Sequence, residues 1–158
     1  MRILALTAPA TWPAVVAAVN RHGAGHQVRL VASATPSAPV VSPFDSLMGR
    51  GRPPVPPLDG GPLAGEVEAA AQLLLDQAAA ALDGPCACEV LHGSSERAVV
   101  QAAATADWLV ICRDGDQTRL GPASLGRETR FIVDHASCTV ELIWPSTPPD
   151  VATMPPPR

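Results

Sequence analysis

The sequence predicts an α/β fold, a five-stranded parallel sheet with helices on both faces. Three observations predict it. Short apolar segments alternate with segments of helical period all along the 158 residues. The apolar segments are rich in Val, Leu and Ile without regular polar alternation, as strands covered on both faces should be. The segments between them are long enough to return the chain across the sheet, so successive strands can pair in parallel. A chain of this length has a prior of one domain and buries roughly 70% of its unfolded surface, ample for a core without staples. Aromatics are 3% (Trp12, Trp108, Trp144, Phe44 and Phe131, with no Tyr), so that core is expected to consist of small aliphatic layers.

Residues 2–7, RILALT, form a short apolar run ending in a small polar residue, the first strand. PATWPAVVAAVNRHG follows with Val15, Val16 and Val19 at helical spacing before Gly23 closes the helix. HQVRLVASA (26–34) is the second strand. Residues 35–62 hold eight Pro and four Gly, which exclude regular structure apart from a turn near FDSLM. A loop of this length is functional, partner-binding or without fixed structure; its RPPVPP could serve as a polyproline ligand, although a solvated loop explains it as well. LAGEVEAAAQLLLDQAAAALDG (63–84) is the strongest helix, with Val67, Ala71, Leu74, Leu75, Ala78 and Leu82 in one stripe and Gly84 placed to end it. CACEVLHG (86–93) returns as a strand. Residues 95–105 form a helix with Ser94 or Ser95 as its cap and Glu96 in the first turn. DWLVICR is a strand, SLGRETRFIVDH a helix capped by Ser124, and CTVELIW the last strand. The tail 146–158, STPPDVATMPPPR, carries too much Pro and too little apolar surface to pack, and is expected to be disordered.

Composition excludes several classes of function. All 11 basic residues are Arg, the net charge is −4, and no basic run occurs, so a nucleic-acid footprint or a membrane surface is not expected. No apolar stretch approaches the roughly 18 residues that span a bilayer. The opening MRILALTAPATWP lacks the apolar h-region of a signal peptide, and the chain reads as cytoplasmic. The four Cys (86, 88, 112 and 138) fall in apolar segments and are expected to be reduced and buried. Cys86 and Cys88 with His92 nearby offer part of a metal shell, but no second ligand pair completes it, so no metal is expected.

The order of these pieces resembles the universal stress protein family. The resemblance rests on RILALT, on the long loop before a long second helix, on VLHGSSERAVVQAAATADWLVICRDG, and on LGRETRFIVDHASCTVELIW, and it spans residues 1 to about 145. It implies strand order 3-2-1-4-5 and a homodimer paired through the last strand, Cys138 to Trp144. It also implies two branches, one binding ATP and one not. The ATP-binding branch has an Asp closing the first strand, and a loop G-x-x-G, nine residues, then G-[ST], whose glycines and helix N-terminus receive phosphate. Here Thr7 and Ala8 stand in place of the Asp, Cys112 in place of the first Gly, and Gly115 matches the second. Ten residues separate Gly115 from Gly126, and Arg127 replaces the Ser/Thr.

Asp114 and Asp116 bring negative charge where a triphosphate would lie. Arg113, Arg119 and Arg127 offer a substitute anion site, with Arg127 equally able to pair with Asp116 or Glu128 in solvent. Thr7, Ala8, Arg113, Gly115, Gly126 and Arg127 are therefore the candidate nucleotide or anion site. The expected cofactor is none, or ATP or AMP held weakly. No catalytic residue emerges. Ser94 and Ser95 lack the nucleophile-elbow pattern, and Asp134 and His135 close a helix, where His suits the negative end. His92 at a strand end is a further contact candidate. The expectation is a dimeric, stress-protein-like stress-response or regulatory module that is not an enzyme, does not bind ATP efficiently, and acts by binding a partner or small ligand. The alternative is an adenine-nucleotide-binding regulator or slow ATPase. The Pro-rich loop and tail are the places where a protein partner would dock.

Overall fold

A computed structural model describes residues 1–34 and 62–156. Five strands, β1 (Arg2–Leu6), β2 (Gln27–Ser33), β3 (Cys86–Leu91), β4 (Trp108–Cys112) and β5 (Thr139–Ile143), alternate with four helices, α1 (Trp12–Arg21), α2 (Pro62–Ala80), α3 (Ser95–Ala103) and α4 (Arg127–His135). The strands form one sheet of order β3-β2-β1-β4-β5, and every pairing is parallel. The predicted fold class and strand order are those observed. The Pro- and Gly-rich stretch, with its RPPVPP segment, lies outside the described residues.

The strand side chains divide by parity into two apolar layers. Ile3, Ala5, Leu30, Ala32, Val110 and Cys112 face α1 and α2 and pack with Val15, Val19, Leu75 and Ala78. Leu4, Val31, Leu109 and Ile111 point the other way, onto Val99 and Ala103 of α3 and Ile132 of α4. Both faces are therefore dry, which is why the strand sequences lack polar alternation. Leu82 packs against the first layer from beyond the end of α2, since the helix stops at Ala80 before Gly84.

Polar contacts fix the corners. Arg2 donates from its guanidinium and its amide to Asp107, each at 2.8 Å, joining β1 to the approach to β4. Glu141 of β5 lies 2.6 Å from Nε2 of His22 and accepts from Trp108 Nε1 at 3.2 Å, so the end of α1 is tied to the β4–β5 pair. Among the described residues no helix is long and apolar enough to cross a membrane.

Two expectations are corrected here. The cysteines are free, but only Cys112 is buried; Cys88 is exposed, because β3 is an edge strand and its outer face is only half covered. Ser124 does not cap α4. It lies in a 3-10 turn, Pro122–Ser124, and its hydroxyl donates to the Gly121 carbonyl at 2.7 Å. Asp150 accepts from the Ala152 amide at 2.7 Å and starts a short turn, Val151–Thr153, and the Thr153 hydroxyl accepts from the Leu120 amide at 3.1 Å. Few apolar contacts are needed when short-range side-chain bonds set the turn.

Candidate functional site

β1 has β2 on one side and β4 on the other, so the crossovers diverge above its carboxyl end and leave a crevice there. A cleft of about 340 Å³ occupies this place. One wall is Val67, Ala70 and Leu74 of α2; the floor is Leu6, Ile111 and Cys112; Ile132 of α4 closes the far side. Thr11 and Ser95 supply hydroxyl groups, and Asp114 and Glu128 are the charged residues in its described lining.

Thr7 and Ala8, two of the candidate site residues, line this cleft. Their polar groups are already engaged. The Thr7 amide and hydroxyl both donate to the Val31 carbonyl, at 2.8 and 2.9 Å, which extends the β1–β2 ladder by one residue. The Ala8 carbonyl accepts from the amides of Thr11 and Trp12 and so opens α1.

The loop from Arg113 to Gly126 folds onto itself. The Gly115 amide donates to the Ser124 carbonyl at 3.0 Å, and the Asp116 amide to the Ala123 carbonyl at 2.8 Å. A Cβ at Gly115 would stand 2.4 Å from the Ala123 carbonyl oxygen. The glycine is thus required by the loop's own close approach. Asp116 is turned inward as well: it accepts from the Thr118 amide and hydroxyl and from Arg119 Nε at 3.0 Å. These bonds, the Thr118 hydroxyl first, hold its carboxyl below the ordinary value.

Gly126 stands at the N-terminal end of α4, where amides point outward and the helix dipole favours an anion. Its amide donates to Asp114 Oδ1 at 2.7 Å. A Cβ on Gly126 would meet that carboxylate at 2.7 Å. The chain's own carboxylate is therefore the partner of the amide at this helix end.

The arginines are directed elsewhere. Arg113 extends β4 by donating its amide to the Ile143 carbonyl, and its guanidinium lies 4.7 Å above the Trp144 ring while bonding the Ser124 hydroxyl. Arg127 lines a separate shallow depression with Glu96 and Phe131. Neither is among the described residues that line the cleft. Arg119 is paired with Asp116, which leaves Arg127 beside Glu128.

The electrostatics of the mouth follow. Burial raises the Glu128 carboxyl above its ordinary value; Glu96 and Asp114 add to the rise and Arg127 opposes it. The Cys112 thiol in the floor is pushed up to about 11, chiefly by burial, so it is protonated at neutral pH and no nucleophile. Among the described residues no cluster of His, Cys, Asp and Glu can hold a metal ion. His92 lies outside the cleft lining, 3.9 Å from Glu68, and His135 is spent on its own helix, bonding the Phe131 carbonyl at 2.8 Å and stacking on the Phe131 ring.

In the sequence Asp114 stands out only as a repulsive charge; its bond to Gly126 spans 12 positions and has no local signature. Glu128, Ser95 and the α2 wall were likewise not assigned to the site. The stripe of α2 is visible in the sequence, but where its first turns open above β1 is not.

No family model matches the chain, and no curated protein does. Solved structures do. A universal stress protein in complex with cAMP is 17% identical, with a TM-score of 0.51 over 92% of this chain and 98% of its own. An Arabidopsis thaliana universal stress protein family member with AMP bound is 14% identical, with a TM-score of 0.55 over 98% and 95%. A Lactobacillus plantarum universal stress protein is 18% identical, with a TM-score of 0.52 over 90% and 97%. At these identities the likeness is one of fold.

Proposed function

We propose, from the universal stress protein fold that this chain adopts, that it is a cytoplasmic, non-enzymatic regulatory module of the stress response. It binds a small ligand in the cleft above β1 and does not bind ATP efficiently. The observation that carries the reading is the Asp114–Gly126 bond at 2.7 Å. A polyphosphate would have to displace a carboxylate already seated at the end of α4 and then lie beside it, and like charges at that range repel unless a cation bridges them. Calorimetry with ATP and magnesium tests this directly. No heat of binding is expected in the low micromolar range, and a dissociation constant there overturns the reading. Asp114→Gly removes the seated charge and frees the helix end. Its affinity for AMP is expected to rise about tenfold over the parent chain, since helix-terminal anion sites contribute on this scale.

A second reading is supported by two observations: the cleft occupies the crevice at the switch point, and the cAMP and AMP complexes named above share this fold. In it the chain is an adenine-nucleotide regulator or slow ATPase. Mass spectrometry of small molecules released from freshly purified protein separates the two readings, because an adenine nucleotide found at stoichiometric amount favours the second.

The module is proposed to be a homodimer through Cys138 to Trp144. β5 is an edge strand paired only with β4 among the described strands, and an unpaired edge is a template for a second copy. Light scattering at micromolar concentration tests it, and a monomer mass removes the dimer from the proposal.

A further inference from the structure

The charge of the cleft points to a class of ligand. Its walls are aliphatic, its neutral polar groups are hydroxyls such as those of Thr11 and Ser95, and its charged members are Asp114 and Glu128. No Arg or His lines it among the described residues. Of the arginines nearest in sequence, Arg113 is committed to Trp144 and Ser124, while Arg127 lines a neighbouring depression whose lining Glu128 shares. From outside the lining a third carboxylate, Glu96 at the start of α3, adds to the negative potential at Glu128, and Arg127 opposes it. An occupant would thus meet apolar surface along its body and negative potential at one end.

We infer that the cleft takes an organic cation with an apolar body, of about a dozen non-hydrogen atoms, its ammonium group lying between Asp114 and Glu128. The size follows from the volume, which is at the low end for small-molecule sites. The polarity follows from the walls. The sign of charge follows from the two carboxylates, one fixed by the Gly126 amide and the other carried on the first turn of α4. This inference rests on the ligand-binding reading above and adds the chemical class to it.

Three probes sharing one ring system test it by calorimetry at neutral pH: 2-naphthylmethylammonium, 2-naphthylmethanol and 2-naphthoate. The ammonium probe is expected to bind about tenfold more tightly than the carboxylate, with the alcohol between them; that is the scale for one ligand charge near partly solvated carboxylates. Glu128→Gln, at an exposed position, is expected to narrow the gap between the charged probes severalfold and leave the alcohol unchanged. Ala70→Trp, also at an exposed position, fills the cleft and is expected to weaken all three. If the carboxylate binds as tightly as the ammonium, the charge inference is overturned while the ligand-binding reading stands. If none of the three binds at about 1 mM, or if Ala70→Trp leaves their binding unaltered, the cleft is not the ligand site and the reading beneath the inference falls as well.

Discussion

A glycine can be required by what approaches it from outside or by what its own chain places beside it, and the two leave different traces when the residue is changed. Gly115 is of the second kind, with the Ala123 carbonyl oxygen 2.4 Å from where a Cβ would be. Gly115→Ala is therefore expected to destabilise the fold by about 2 kcal/mol, the scale of overpacking. That lowers the thermal midpoint by roughly 5 °C for a domain of this size. A glycine kept only for phosphate approach would leave the midpoint alone, so an unchanged melting curve contradicts the packing account. Cys112 gives a companion expectation. With its thiol raised to about 11 by burial, iodoacetamide at pH 8 should modify it far more slowly in the native protein than in urea.

The helices are judged by which of their faces the sheet covers. In α2 the run Leu73, Leu74, Leu75 is uniform in sequence, yet Leu73 is 59% exposed, Leu74 lines the cleft and Leu75 is fully buried. The helical period makes this division, since adjacent residues point about 100° apart. Leu75→Ala should cost about 3 kcal/mol in urea denaturation, as buried Leu truncations do, and Leu73→Ala less than about 0.5 kcal/mol. Equal effects at the two positions would show that the helix is rotated from the orientation described. Leu74→Ala enlarges the cleft and belongs with ligand binding more than with stability.

At the scale of the molecule, the sheet's halves meet at Arg2 and Asp107. Here the Asp107 amide also donates to the Arg2 carbonyl at 2.9 Å, and its own carbonyl accepts from Thr139. The Arg2 side chain, and then its backbone amide, hold the Asp107 carboxyl down to about 2. A carboxyl lowered on folding binds fewer protons in the native state than in the unfolded state. Its contribution is therefore present above the unfolded value of about 3.9 and is lost as pH falls toward 2. Asp107→Asn should lower stability near pH 5 while losing less on acidification from pH 4 to pH 2 than the parent, as read by thermal midpoints at each pH. Parallel curves for the two proteins over that window would exclude the ion pair as a source of acid sensitivity.

Much of this molecule is written locally. Five apolar runs and the helical stripes between them place each strand and helix to within a few residues, because hydrophobic period and turn residues act over short stretches of chain. The resemblance of ordered motifs extends this to the strand order. The loop is where local reading stops: Gly115, Gly126 and the arginines follow a phosphate-loop pattern in part, and from sequence either an anion site or a closed loop is compatible with them. Three-dimensional proximity favours the closed loop by bringing Asp114 to the Gly126 amide and Arg113 to Trp144. The residues thus determined the elements, while the destination of each charge was decided only by the tertiary structure, since electrostatic partners are chosen by distance in space and carry no period along the chain.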